Sequence, residues 1–239
     1  GLSPNAKHVC LQGEHADWLM QLAEACHWQR DSTDTAIHLQ RELGRLSVSI
    51  KADKALAKFK PTAFVLNTID VQRTRGADVK QPLIRACGLH KKPNQRILDV
   101  CAGTGSDAYI LAHFADAVVS CERHPVIYAL LRDAIVLDGA HLPWDLQHAD
   151  ACTYVQNLDQ HFDCAYVDPM FDGDKKRRAA ERKEMQILRY LENDLLAEAG
   201  DADDQDAKQL IEAVAATKIN RVVIKRPLKS ERIVYPGRR

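Results

Sequence analysis

Asp168-Pro169-Met170-Phe171 follows directly on the apolar run Cys164-Ala165-Tyr166-Val167. A carboxylate, a ring-locked backbone and an aromatic ring at the exit of a buried strand suit one task. They can hold a planar amino group still while a carbon is delivered to its nitrogen. Such an amine is a poor nucleophile, because its lone pair is delocalised into the ring. Oxygens that accept its hydrogens, one from Asp168 and one from the carbonyl of Pro169, favour the pyramidal nitrogen needed for in-line attack. Phe171 can stack on an extruded base. Rate then comes from positioning and fixed polar groups. Taken alone, Asp-Pro also ends strands with no chemistry attached, so its place in the chain has to decide.

Upstream, another strand exits into Asp99-Val100-Cys101-Ala102-Gly103-Thr104-Gly105-Ser106-Asp107. Gly103 and Gly105 let the backbone approach a ligand closely. Gly-x-Gly also serves dinucleotide sites, and Ala108 at the third glycine position leaves that open. The absence of a Walker-type lysine after Gly105 excludes a phosphate-cradling loop. At the end of the next strand, Glu122 can accept from both ribose hydroxyls of a nucleoside, or it can favour the dipole of the helix beginning at Pro125. Asp99 can orient the loop or face a ligand ammonium, and Asp107 can cap the following helix or contact a methionine portion. Asp150 can accept from an adenine amine or close an Asx turn. With Asp168 on the fourth strand and this loop on the first, the order implies methyl transfer from S-adenosylmethionine to a base amino group.

Cations flank these positions. Lys175, Lys176, Arg177 and Arg178 follow Phe171, then come Arg182 and Lys183, and Lys225-Arg226 ends a later strand. The expectation is phosphate contact, with Arg226 as the first candidate for it. Lysine plus arginine equals aspartate plus glutamate, 33 each, so net charge selects no partner. Segregation does: Glu192 to Asp206 holds seven acidic residues and no basic one, whereas Lys218 to Arg239 holds eight basic residues against Glu231. A cationic face on a neutral protein suits a polyanion.

The bulk composition is that of a globular protein. At 239 residues and 46 % apolar content the chain can hold one large domain with a small appendage. No run approaches the ~18–20 apolar residues needed to span a bilayer. The start, which is not Met, lacks the pattern of a signal peptide. The seven cysteines are scattered without a Cys-x-x-Cys pair, which reads as reduced thiols in a cytoplasmic protein rather than a disulfide frame or zinc site. Cys101, the one nearest the chemistry, is read as a packing residue. None of the ten histidines has metal-ligand spacing, and no metal is expected; His124 and His148 are read as polar packing groups.

Positioning these residues requires an α/β frame. Strands are expected at Arg96 to Val100, Ala117 to Cys121, Leu146 to His148, Phe162 to Val167, Arg221 to Ile224 and Arg232 to Tyr235, with helices over Asp107 to Phe114 and Pro125 to Asp138. The alternation predicts an open, doubly wound parallel sheet binding ligands at the carboxyl ends of its strands. Residues 1–72 read as a small N-terminal α+β appendage, with a helix over Trp18 to Trp28 and strands at Leu46 to Ile50 and Ala63 to Leu66. A charged connection, Arg73 to Lys80, and a short helix ending at Gly88 lead into the main domain, residues 73–239.

The run Ile97 to Ala108 resembles the first motif of the bacterial ribosomal RNA small-subunit methyltransferase J family. Glu122-Arg123-His124-Pro125-Val126, Asp168-Pro169-Met170-Phe171, Lys183-Glu184-Met185 and Val222 to Pro227 match that family in order. The resemblance covers residues 75 to 236 and weakens in the N-terminal part. It implies a class I S-adenosylmethionine-dependent methyltransferase fold, Rossmann-like, that methylates the exocyclic N2 amine of a guanine in 16S ribosomal RNA. It also implies that Ser106, Asp107, Glu122, Arg123, Asp150, Ala151 and Asp168 line the cofactor pocket. A further antiparallel strand is implied beyond Arg239. An adenine-N6 nucleic-acid methyltransferase and a non-catalytic RNA-binding protein on the same fold stay as rival readings.

Overall fold

The computed structural model describes residues 9–32, 35–67, 81–92, 94–169, 182–199 and 203–226; at 194–199 and 203–206 it describes the backbone alone. Its centre is a five-stranded sheet of β5 (Arg96–Asp99), β6 (Ala117–Glu122), β7 (Trp144–His148), β8 (Cys164–Val167) and β9 (Arg221–Ile224), in the spatial order β7-β6-β5-β8-β9. Every pairing among them is parallel, with Asp99 beside both Ser120 and Tyr166 in register. The order reverses direction between β5 and β8. The loops leaving those neighbouring strands therefore open a crevice at their carboxyl ends.

Alternation along the strands sends side chains to two apolar layers. Ile97, Cys164 and Tyr166 join one cluster, with Leu130 and Leu131 of the helix Pro125–Ala134. Leu98, Ala165 and Val167 join the other, with Ile211 and Val214 of the helix Asp203–Ala215. Both faces are covered, which is why β8 is buried at every residue.

The α-helices among the described residues are α1 (Asp17–Ala25), α2 (Pro82–Ala86), α3 (Ser106–Ala112), α4 (Pro125–Ala134), α5 (Ala151–Gln156), α6 (Lys183–Ala199) and α7 (Asp203–Ala215). α4 begins as its sequence dictates, with Pro125 in the first turn and the His124 ring accepting the Val126 N–H at 3.2 Å. It does not run regularly to Asp138 as expected. After Ala134 the backbone widens into a π-turn over Ile135–Gly139, leaving Val136 59 % and Leu137 48 % exposed. The turn presents Asp138 to Arg45, which donates to both carboxylate oxygens at 2.9 and 2.6 Å.

The N-terminal region forms a second sheet, β2-β1-β3-β4, from β1 (Val9–Leu11), β2 (Gln29–Arg30), β3 (Ile37–Glu42) and β4 (Arg45–Ile50). The expected helix stops early, at Ala25, where His27 takes a positive φ of 54° and the Trp28 N–H returns to the Ala23 carbonyl. The expected strand over 63–66 is absent. Thr62 alone bridges to Val48, and the Leu66 N–H goes to the Asp138 carboxylate instead of a ladder. Phe64 and Leu66 are nevertheless buried, and the apolar cluster runs unbroken from Val9 to Leu191. The appendage thus shares its core with one face of the main sheet. The expected connection at 73–80 and the strand at 232–235 lie outside the described residues. Among the described residues, no helix is long and apolar enough to cross a membrane.

Candidate functional site

A cavity of about 840 Å³ opens over the carboxyl ends of β5, β6, β8 and β9. Of the residues expected to act there, Asp99, Gly103, Ser106, Asp107, Glu122, Arg123, Asp150, Ala151, Asp168, Pro169, Lys225 and Arg226 all line it. Gly105 is not among the lining residues. It stands in the left-handed region, φ 76°, at the start of α3, and a Cβ there would press on Leu131 and on the Trp144 ring at 2.8 Å. Its hydrogen atom is demanded by packing behind the loop. Among the described residues, Gly103, φ 53°, has only Leu188 near its missing Cβ, at 3.5 Å. That glycine serves the turn.

The carboxylates are fixed by the loop they support. Asp99, 1 % exposed, accepts the Cys101 N–H at 3.2 Å and the Ser120 hydroxyl at 3.0 Å, and Ser120 in turn accepts the Trp144 indole N–H at 2.9 Å. Burial pushes the Asp99 carboxyl up to about 7. Glu122 accepts the Gly103 N–H on one oxygen at 3.1 Å and the His124 N–H on the other at 2.8 Å. Burial again dominates and lifts it to about 8. Glu122, expected either at a ribose or at the start of the helix from Pro125, binds the N–H of that helix's cap residue His124, steadies the glycine loop as well, and lines the cavity. His124 is held neutral by burial, near 3, and acts as a cap. Asp150 caps α5, accepting the Thr153 N–H at 2.8 Å and its hydroxyl at 3.0 Å through one oxygen, so the Asx role is present and the second oxygen is left for the cavity. Cys101 is half-buried on the cavity wall, where desolvation and the nearby Asp99 carboxylate raise its thiol well above the ordinary value and disfavour the thiolate.

On the opposite flank Asp107 does not cap its helix. One of its oxygens accepts the Tyr166 hydroxyl at 2.6 Å and the Lys225 ammonium at 2.7 Å. The same ammonium reaches Asp168 Oδ2 at 2.8 Å. Lys225, expected on RNA phosphate, is therefore engaged by two carboxylates within the cavity. Burial raises the Asp168 carboxyl while Lys225 draws it back, leaving a net upward shift. Lys183 lies outside the cavity wall, its ammonium 5.4 Å from the Phe59 ring centre. Phe171, Lys175, Lys176, Arg177 and Arg178 lie outside the described residues.

Sequence reading missed several members of the wall. Tyr166 carries a legible signal, because it stands two positions before Asp168 on the same strand face. Phe64, Val65 and Asn67 come from the appendage, and Met185 and Leu188 from α6; only the tertiary fold brings them over the strand ends.

A parallel sheet in this order, a glycine turn after its first strand and an acidic residue ending the second define a class I, Rossmann-like methyltransferase fold. The family described as "Putative SAM-dependent methyltransferase" matches residues 21–236. Ribosomal RNA small subunit methyltransferase J from Coxiella burnetii is 39 % identical over 171 residues, 70 % of this chain and 63 % of the relative. The protein of that name from Desulfotalea psychrophila is 30 % identical over 211 residues, 85 % of this chain and 73 % of the relative. The chain thus spans less than two thirds of the Coxiella protein. The SAM-dependent methyltransferase NGO1261 from Neisseria gonorrhoeae superposes with a TM-score of 0.65 at 20 % identity, covering 94 % of this chain and 87 % of that one, a likeness of fold. The chain belongs to the S-adenosylmethionine-dependent methyltransferase family that includes ribosomal RNA small subunit methyltransferase J.

The residues present fit that family's cofactor. The wall carries more carboxylates than cations, with Asp99, Asp107, Glu122, Asp150 and Asp168 on it, as suits a ligand bearing a sulfonium and an ammonium. The left-handed turn at Gly103 turns a backbone without a Cβ toward the same space.

Proposed function

We propose that this protein methylates the exocyclic N2 amine of a guanine in small-subunit ribosomal RNA. S-adenosylmethionine, when bound, supplies the electrophilic methyl group. Glu122 would hold the ribose, Asp150 the adenine edge, and Asp99, Ser106 and Asp107 the methionine portion, with Arg123 and Ala151 completing the wall. Asp168 and the Pro169 carbonyl would take the hydrogens of the substrate amine. The observation that carries this reading is the shared cavity: Asp168-Pro169 and the Gly103 loop leave adjacent strands and line one space.

The chemistry asked of the chain is modest. The amine proton becomes acidic only after methylation, so Asp168 need not be a strong base. It has to be an ionised acceptor held in place, and Lys225 favours that form against burial. The wall formed by Phe64, Val65 and Met185 offers apolar surface for a base, and Phe171 would add a stacking ring. Arg182 and Arg226 line the same cavity, where phosphate contact would supplement the cationic stretch from Lys175 to Arg178 and Lys183. We assign the protein to the cytoplasm, where that substrate is made and its cysteines, free throughout, would remain reduced.

Calorimetric titration with S-adenosylhomocysteine, followed by methyl transfer to unmodified small-subunit RNA and to assembled subunits, tests the reading. Micromolar binding with transfer to guanine N2 is expected. Binding with transfer to adenine N6 would replace the substrate assignment, and RNA binding without cofactor binding would leave a non-catalytic protein.

A further inference from the structure

We propose that Lys225 is a positioning residue that ties the cofactor half of the cavity to the amine-accepting half, by gripping Asp107 and Asp168 together. The proposal rests on the methyltransferase reading above. Its basis is geometric. The ammonium leaves the end of β9 and reaches Asp107 Oδ2 at 2.7 Å and Asp168 Oδ2 at 2.8 Å. Tyr166, from the face of β8 that also carries Asp168, closes the group by donating to the same Asp107 oxygen at 2.6 Å. Elements following three neighbouring strands, β5, β8 and β9, are thereby joined at their carboxyl ends.

The grip has a chemical consequence. With Asp168 Oδ2 occupied by the ammonium, Oδ1 is the oxygen left to accept a substrate N–H. A carboxylate held at one oxygen cannot swing, which fixes the direction from which the amine is received. The ammonium also offsets repulsion among Asp99, Asp107 and Asp168, which otherwise oppose one another's ionisation. Tyr166 and Cys101, both neutral, also neighbour Asp168, while Arg226 beside Lys225, Glu122 and Arg123 after β6, Asp150 after β7, and Arg182, Glu184 and Glu192 from α6 and its entrance line the same cavity. Among the described residues, Lys225 is the one cation bonded to Asp168.

Lys225 is 56 % exposed at its side chain, so replacement by Met should leave the fold intact and the effect on ionisation should be at the small end of the usual range. The experiment is an NMR titration of the unliganded protein with ¹³C-labelled aspartate carboxyls, with Asp168→Asn used to assign the Asp168 signal. In Lys225→Met the Asp168 midpoint should rise by about one pH unit, and Lys225→Arg should restore it. The acid limb of kcat should move upward by the same amount in Lys225→Met. An unchanged Asp168 midpoint, or one that rises without any change in kcat or its pH profile, overturns the proposal. If Lys225→Met does not fold, Lys225→Gln and Lys225→Arg give the same comparison. Failure of wild-type protein to bind S-adenosylhomocysteine would instead overturn the methyltransferase reading, since the titration is read without ligand.

Discussion

Glu122, at the end of β6, accepts the backbone N–H of Gly103, on the loop after β5, at 3.1 Å. The acidic residue and the glycine turn are thus one device. The carboxylate holds the turn in the shape that a ligand meets. Glu122→Ala should remove the proposed ribose acceptor and loosen the turn together, weakening S-adenosylhomocysteine binding by about 10- to 100-fold, in line with the cost of leaving buried hydrogen-bonding groups unpaired. Glu122→Gln keeps one acceptor and should lose less. Equal affinity of both variants and wild type in calorimetry would remove Glu122 from the cofactor site.

Asp99 and Glu122 are both raised by burial, to about 7 and about 8. The sign of the linkage follows from comparing folded and unfolded chains. Between the ordinary carboxylate range and these raised values the folded protein holds protons that the unfolded chain has released, so each group's contribution weakens as pH rises through that window. The melting temperature of unliganded wild type, relative to Asp99→Asn, should therefore fall from pH 5 to pH 8. A flat difference would mean that Asp99 is ionised throughout.

The two loop glycines should respond differently to alanine. At Gly105 a methyl group meets Leu131 and Trp144 and the backbone is left-handed, costing about 2–4 kcal/mol from strain and overpacking combined. At Gly103 the nearest atom is at ordinary contact distance, and about 1–2 kcal/mol of backbone strain is expected. Urea denaturation of both variants checks the order. Gly103→Ala should be the one that weakens cofactor binding in protein that remains folded.

Much of this site is legible along the chain because its parts sit at strand exits. Asp99, Glu122 and Asp168 each end an apolar run, and a parallel sheet collects such ends on one edge. What the chain does not disclose is which side chain answers which. Lys225 reads as a surface cation beside Arg226, yet its partners lie 57 and 118 residues away. Glycine at 105 reads as ligand-facing, whereas its constraint comes from Trp144 on another strand. The segment 63–66 has the short apolar run of a strand, but among the described residues it joins no ladder, and Asp138 takes the Leu66 N–H. Local pattern fixes the periodicity of a segment; the partner of its backbone is a tertiary matter.

Asp168→Ala should abolish methyl transfer while leaving S-adenosylhomocysteine binding within about tenfold of wild type, because the loss falls on the amine acceptor. Asp168→Asn, isosteric but uncharged, should retain a trace of activity through its amide oxygen. Near-normal turnover by the alanine variant would overturn the assignment of the strand-exit carboxylate.

Two aspartates on the turn side of α4 fasten the appendage to the main sheet. Asp133, buried, accepts the Leu46 N–H at 2.8 Å and the Arg41 guanidinium at 2.8 Å. Asp138 accepts Arg45 and the Leu66 N–H, the latter at 3.1 Å. Asp133→Ala strands a backbone N–H in the interior, so it should cost about 1–3 kcal/mol in denaturation. Asp138→Ala also removes a bidentate, partly buried ion pair and should act locally on residues 64–67. Because Phe64, Val65 and Asn67 line the cavity, it should raise the KM for RNA more than the dissociation constant for S-adenosylhomocysteine. If both rise equally, the appendage shapes the whole cavity. If neither changes, it is a structural brace with no part in receiving the base.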